Sequence, residues 1–172
     1  MKSLGRVYLV DDDELILAML SRTLEKEGYE IRTDAGEKNL LERILSWHPD
    51  VVLLDVNLPG QNGMEMLKIL KNDATHREVI MLTADDTAET AVKAMKIGAW
   101  DYLTKPFNID EVKIVISNAI ENIKLKKELE YLRKISSSLF ENDFLGVSKA
   151  KKELKEKVER IAEEIGRASC RE

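Results

Sequence analysis

Four short apolar runs end in residues that could do chemistry together. Residues 7–10 lead into Asp11-Asp12-Asp13, 51–54 into Asp55, 79–82 into Thr83, and 102–103 towards Lys105. If these runs lie side by side, the carboxylates converge. Converging carboxylates repel, and each has a raised pKa unless a cation joins them. A hard divalent ion resolves the conflict. Mg²⁺ prefers an octahedron of oxygens and keeps several waters, so one or two carboxylates plus a backbone carbonyl suffice. Asp12, Asp55 and the carbonyl of Asn57 are the expected direct ligands, with Asp11 acting through a water. Beside such an ion an Asp55 oxygen can attack a phosphoryl donor. The ion and the Lys105 amine would stabilise the equatorial oxygens of the transferring group, and Thr83 would hydrogen-bond the product.

Each residue also has a plainer reading. Asp is a preferred helix N-cap, and Asp13 stands just before a helical pattern that begins at Glu14. Lys105 alone could be a surface charge, and Thr83 alone a residue of a helix's first turn. Their joint arrival at one edge is what those readings leave unexplained.

The elements that must deliver these residues follow from hydrophobic periodicity. Strand-like runs at 7–10, 31–33, 51–54, 79–82 and 102–103 alternate with amphipathic stretches at about 14–27, 37–47, 64–72 and 87–97. Gly28 and Gly98 follow two of the stretches as expected C′ residues, where a left-handed backbone suits glycine. Five βα repeats with short connections predict a doubly wound parallel sheet, because right-handed crossovers place helices on both faces. In such a sheet ligands collect at the carboxyl ends of the strands.

Composition agrees with a folded, heavily charged chain. Its 172 residues allow one core plus an extension, and its net charge of -5 argues against a nucleic-acid-binding face. One cysteine, Cys170, excludes an intrachain disulfide and suits a reducing compartment, and no apolar run reaches bilayer length. A cytoplasmic location without membrane contact is therefore expected.

The residues Val7-Tyr8-Leu9-Val10-Asp11-Asp12-Asp13-Glu14, Leu54-Asp55-Val56-Asn57-Leu58-Pro59-Gly60, Gly63, Leu82-Thr83-Ala84 and Gly98 to Phe107 resemble the receiver domain of two-component response regulators. The resemblance covers roughly residues 5–120. It implies a flavodoxin-like sheet of order 2-1-3-4-5, Mg²⁺ as cofactor, and Asp55 as acceptor of a phosphoryl group from a sensor histidine kinase. The domain would catalyse its own phosphorylation and slow dephosphorylation without being an enzyme on a separate substrate. The resemblance also implies a cis peptide between Lys105 and Pro106 that aims the Lys105 amine inward. It makes Thr83 and Tyr102 a switch pair, whereas simple packing is the alternative for Tyr102. Gln61-Asn62 departs from the commonest pattern, in which this loop often carries an apolar residue, and is expected to tune partner contacts.

A fifth helix should begin near Ile109, with Asn108 as cap, and run to about Ser136. Leu125, Leu129 and Leu132 continue its apolar positions at four- and three-residue spacing, as in a coiled-coil seam, predicting a homodimer. A solvated charged linker is the alternative. Ser136-Ser137-Ser138 should mark a boundary. The stretch from Phe144 to Ile165 resembles the opening of the AAA+ module in NtrC-type, sigma-54-dependent activators, and 166–172 reads as a tail of cloning origin. The expected organisation is thus a receiver at 1–120, a helical linker at 121–143, and a truncated ATPase opening at 144–165. No Gly-x-x-x-x-Gly-Lys-Ser/Thr loop occurs, so ATP hydrolysis is not expected of this chain. DNA and sigma-54 RNA polymerase would be reached only through domains outside it. A standalone receiver that docks on a partner is the alternative. A haloacid-dehalogenase-type phosphatase is disfavoured, since its Asp-x-Asp needs a second carboxylate where this chain has Asn57.

Overall fold

The runs at 51–54 and 79–82 hold apolar side chains on both strand faces, and both are fully buried. Their backbone groups are satisfied by parallel pairing under helices on each side. In chain order the elements are β1 (Arg6–Val10), α1 (Glu14–Lys26), β2 (Glu30–Asp34), α2 (Leu40–Trp47), β3 (Val51–Asp55), β4 (Asn57–Leu58), β5 (Gln61–Asn62), α3 (Gly63–Asn72), β6 (Glu78–Thr83), α4 (Ala88–Ile97), β7 (Asp101–Thr104) and α5 (Ile109–Gly146). This computed structural model describes residues 3–73, 76–84 and 87–146, with side chains as far as 135. The main sheet runs β2-β1-β3-β6-β7, all parallel, and β4 and β5 form a separate antiparallel pair.

Alternation along the strands builds two cores. Val7, Leu9, Leu53, Ile80 and Leu82 face α1 and α5, where Leu20, Leu24, Ile116 and Ile120 cover them. Tyr8, Val10, Leu54, Val79 and Met81 face the other way, onto Ile44, Leu67, Leu70 and Ala94 of α2, α3 and α4. Gly28 and Gly98 take φ of 96° and 106° at the ends of α1 and α4, the left-handed region that an L side chain resists.

Two expectations about helix extent need correction. The second helix begins at Leu40 and not at 37. Asp34 Oδ1 accepts hydrogen bonds from the N–H groups of Gly36 (3.0 Å) and Glu37 (3.2 Å), a local turn that competes with helix. The fifth helix runs through the three serines to Gly146 instead of loosening at Ser136. Serine costs less than about 0.7 kcal/mol relative to alanine and, unlike proline, removes no backbone donor.

The chain divides into two units, Met1–Lys127 and Glu128–Glu172. The first holds the sheet and its covering helices, and the second is helical as far as Gly146. Most of the expected ATPase opening and the tail with Cys170 lie outside the described residues. Among the described residues no helix is long and apolar enough to cross a membrane.

Candidate functional site

Because β1 and β3 are neighbours in register, the residues that follow their apolar runs arrive together at the carboxyl edge. Asp11 is 1% exposed and Asp55 4%, while Asp12 faces solvent. One oxygen from each of these three carboxylates lies within 4.8 Å of the others. Asp55 Oδ1 accepts from Asn57 N–H at 2.8 Å and Asp11 Oδ1 from Asp13 N–H at 3.0 Å, so the backbone two residues on orients each side chain. Both remaining oxygens turn to one amine. Lys105 Nζ lies 2.5 Å from Asp55 Oδ2 and 2.6 Å from Asp11 Oδ2.

Lys105 reaches this place from the end of β7, across β6. Its N–H donates to the Thr83 carbonyl at 2.7 Å, and the Lys105–Pro106 peptide bond is cis. An open cleft of about 680 Å³ extends from the acids, lined by Asp12, Asp55, Asn57, Ala84 and Lys105 and by the first residues of α1.

Burial raises the Asp11 pKa, and the nearby Asp55 charge adds to this. Hydrogen bonds and charge from Lys105 and the Asp13 backbone only partly offset it. Burial would lower the Lys105 pKa, but the contacts and charges of Asp11 and Asp55 outweigh it and hold the amine above its ordinary value. Lys105 therefore stands as an ammonium between the Asp11 and Asp55 side chains. Asp11 Oδ2 meets the Lys105 ammonium at 2.6 Å, and this buried oxygen has no other donor among the described residues. One ammonium cannot neutralise three carboxylates. An all-oxygen donor set beside an open cleft, with a buried carboxylate oxygen that has no donor besides Lys105 among the described residues, fits a hard divalent cation such as Mg²⁺.

The structure thus brings Asp11, Asp12, Asp55, Asn57 and Lys105 to one cleft. Thr83 ends β6, fully buried, and pairs in register with Thr104. Tyr102 pairs with Met81 and is half-buried against the second core. Leu125, Leu129 and Leu132 are each 54% exposed and line no part of the cleft. Asp13 is the cap of α1, accepting from Leu15 N–H at 2.9 Å and Ile16 N–H at 3.3 Å.

Asp34 escaped sequence reasoning, and the contacts of Gln61 and Gly63, residues named there only for the resemblance and for partner contacts, were not foreseen. Asp34, at the end of β2, accepts from Arg43 Nε at 2.8 Å and from the Tyr8 hydroxyl at 3.2 Å. It follows a strand as Asp11 and Asp55 do, and that rule could have found it. Gln61 donates to the carbonyls of Gly36 and Glu37. Gly63 opens α3 directly on the Asp55 and Val56 backbone, where any Cβ would collide with the Asp55 carbonyl. A lone glycine at a helix start gives no such signal in sequence.

A doubly wound five-stranded sheet with an acidic cluster and a lysine at its carboxyl edge defines the class: a flavodoxin-like α/β protein whose site lies where the strand order reverses. Residues 7–117 match the sequence profile of the response regulator receiver domain, and the chain belongs to that family. It is 35% identical over 165 residues to the DNA-binding transcriptional regulator NtrC of Proteus hauseri, covering 96% of this chain and 34% of that protein. It is 34% identical over 138 residues to the regulatory protein AtoC of Escherichia coli K12, covering 80% of this chain and 30% of that one. Among solved structures, NtrX from Brucella abortus superposes with a TM-score of 0.69 at 33% identity, over 75% of this chain and 30% of that one. The signal receiver domain of a putative LuxO repressor protein from Vibrio parahaemolyticus gives 0.69 at 27% identity, over 73% and 97%. The chain therefore spans about a third of the curated relatives it matches.

Proposed function

We propose that this receiver takes a phosphoryl group from the phosphohistidine of a sensor histidine kinase onto Asp55 and uses it to switch dimerisation in a cytoplasmic transcription activator. The observation that carries the reading is the Lys105 amine set 2.5 Å from Asp55 Oδ2 and 2.6 Å from Asp11 Oδ2, at the mouth of an acidic cleft. An Asp55 oxygen forms the new O–P bond as the P–N bond of the donor breaks, and the electron pair returns to the imidazole ring. The product is an acyl phosphate. Asp12, Asp55 and the Asn57 carbonyl would hold Mg²⁺, with Asp11 acting through a water, and the ion would supply the positive charge that lets an anionic acid meet an anionic phosphoryl group.

The chain's own residues do the rest. Lys105 stays protonated and neutralises charge on the phosphoryl oxygens, while the Asn57 and Asp13 N–H groups hold the Asp55 and Asp11 side chains in position. Thr83 hydrogen-bonds the new phosphoryl group, and Tyr102, one strand over, repacks with it. Added charge and acceptor oxygens can bias such a bistable element. Water later hydrolyses the acyl phosphate at the same site. Control of DNA and of sigma-54 RNA polymerase would pass through further domains of NtrC-type regulators.

The test is Asp55→Asn with acetyl phosphate or a phosphohistidine donor. Labelling should vanish while circular dichroism and the thermal midpoint stay near the parent's. Label retained in the variant would remove Asp55 from the mechanism.

A further inference from the structure

The strand β4, which carries Asn57, belongs to a hairpin with β5 of only two residues a side. An isolated pair of that length cannot hold its own position in water. Whatever fixes the Asn57 carbonyl must therefore come from outside the hairpin. Asn57 N–H is tied to Asp55 Oδ1 at 2.8 Å, and three further attachments hold the rest of the hairpin. Leu58 is buried with its Cδ2 against Gly36, closely enough that a Cβ on that glycine would sit 3.3 Å away. Asn62 caps α3, accepting from Met64 N–H at 2.9 Å, and the chain then turns onto the Asp55 backbone at Gly63. The third is the Gln61 amide, whose Nε2 donates to Gly36 O at 2.8 Å and to Glu37 O at 3.1 Å.

The receiving turn is itself held rigid. Asp34 Oδ1 accepts from the N–H groups of the same two residues, and Asp34 Oδ2 is tied to Arg43 and the Tyr8 hydroxyl. A chain of hydrogen bonds thus runs from the β2 end through 36–37 to Gln61. Leu58 and Gln61 are register partners in the hairpin, and Asn57 and Asn62 are the next pair. Gln61 is half-buried, and its side-chain amide is spent on the 36–37 carbonyls, whatever part this loop also plays in partner contacts.

We infer that Gln61 is a positioning residue for the metal site: its side-chain amide clamps the β4–β5 hairpin onto the 36–37 turn and so fixes the Asn57 carbonyl for the cation. This rests on the phosphoacceptor reading of the site. Partners lying outside a metal's direct ligands commonly change its affinity by about 10–100-fold, and Gln61 acts one step further out.

The experiment compares the parent with Gln61→Met, which keeps the stem but loses both donors, and with Gln61→Ala. Mg²⁺ affinity is measured by calorimetry on unphosphorylated protein, hydrogen exchange at Asn57 and Gly63 N–H by mass spectrometry or NMR, and acetyl phosphate labelling over a range of Mg²⁺. Both variants should bind Mg²⁺ more weakly by about threefold or more. The two amides should exchange faster, and labelling at saturating Mg²⁺ should stay near the parent's rate. A purely structural role would lower the thermal midpoint without that split. Affinity within about threefold of the parent in a folded variant overturns the inference alone. A parent that neither binds Mg²⁺ nor takes label overturns the phosphoacceptor reading, and the inference with it.

Discussion

Three consecutive aspartates follow β1, and the structure gives each a different task. Asp11 is buried against Lys105, Asp12 is exposed at the cleft, and Asp13 accepts the first N–H groups of α1. The division makes a prediction at the scale of single atoms. Asp13→Ala should cost about 1 kcal/mol of stability in urea unfolding, the usual worth of an N-cap, with Mg²⁺ affinity unchanged. Asp12→Ala should do the reverse, weakening Mg²⁺ while leaving the unfolding midpoint in place. Equal loss of metal affinity in both variants would mean that the three residues act as one cluster. The sequence already suggests the cap, since Asp13 stands immediately before the helical pattern that begins at Glu14, and the direction of Asp13 Oδ1, towards the Leu15 and Ile16 N–H groups, agrees with it.

Three elements meet at the opposite edge of the sheet, where β6 begins. Glu78 is 4% exposed and receives Lys71 Nζ at 2.7 Å, Lys126 Nζ at 2.7 Å and Asn122 Nδ2 at 3.1 Å, so one carboxylate joins β6, α3 and α5. Burial alone would raise its pKa, but the two ammonium groups outweigh that and hold it below the ordinary glutamate value. A depressed folded-state pKa adds stability that is complete above the unfolded value and disappears as pH falls through the folded one. Glu78→Gln should therefore be less stable than the parent near neutrality, by about 2 kcal/mol for lost charged hydrogen bonds. The gap should close in acid, as pH falls below the ordinary glutamate range. Thermal midpoints across that range check it, and a gap independent of pH would show that packing and not charge is at stake. The strands beside Glu78 were readable in advance, since 51–54 and 79–82 are continuous apolar runs. The Glu78 cluster was not, because its partners come from 71, 122 and 126, and periodicity says nothing of which charges meet. The β4–β5 pair escaped for a related reason: two residues a side leave no alternation to detect. The extent of α5 through Ser136 was misjudged because serine weakens a helix without stopping it.

At the scale of the whole molecule, the helix that leaves the sheet belongs in part to the core. Ile123 is 2% exposed, and Lys127 reaches Asp50 at 3.1 Å, so packing continues well past 120, where the sequence resemblance ends. Beyond it Leu129 and Leu132 are half-exposed, as is Leu125 before it. A chain ending after Lys127 should fold with a thermal midpoint near the parent's and accept label at Asp55. One ending after Ile120 should melt several degrees lower, because Ile123, the Asn122 and Lys126 partners of Glu78 and the Lys127 partner of Asp50 are gone; 1 kcal/mol corresponds to about 4–8 °C in a domain of this size. If the exposed leucines form a seam between two copies, the chain ending at Lys127 should sediment as a monomer. The full chain with Leu125→Lys and Leu129→Lys should do likewise, since lysines would face one another where apolar side chains had met. Phosphorylating the parent then asks whether the charge at Asp55 alters the monomer–dimer ratio. Sedimentation of the labelled parent indistinguishable from the unlabelled one would disconnect the site from the helix, leaving phosphoryl transfer intact and the dimer switch rejected.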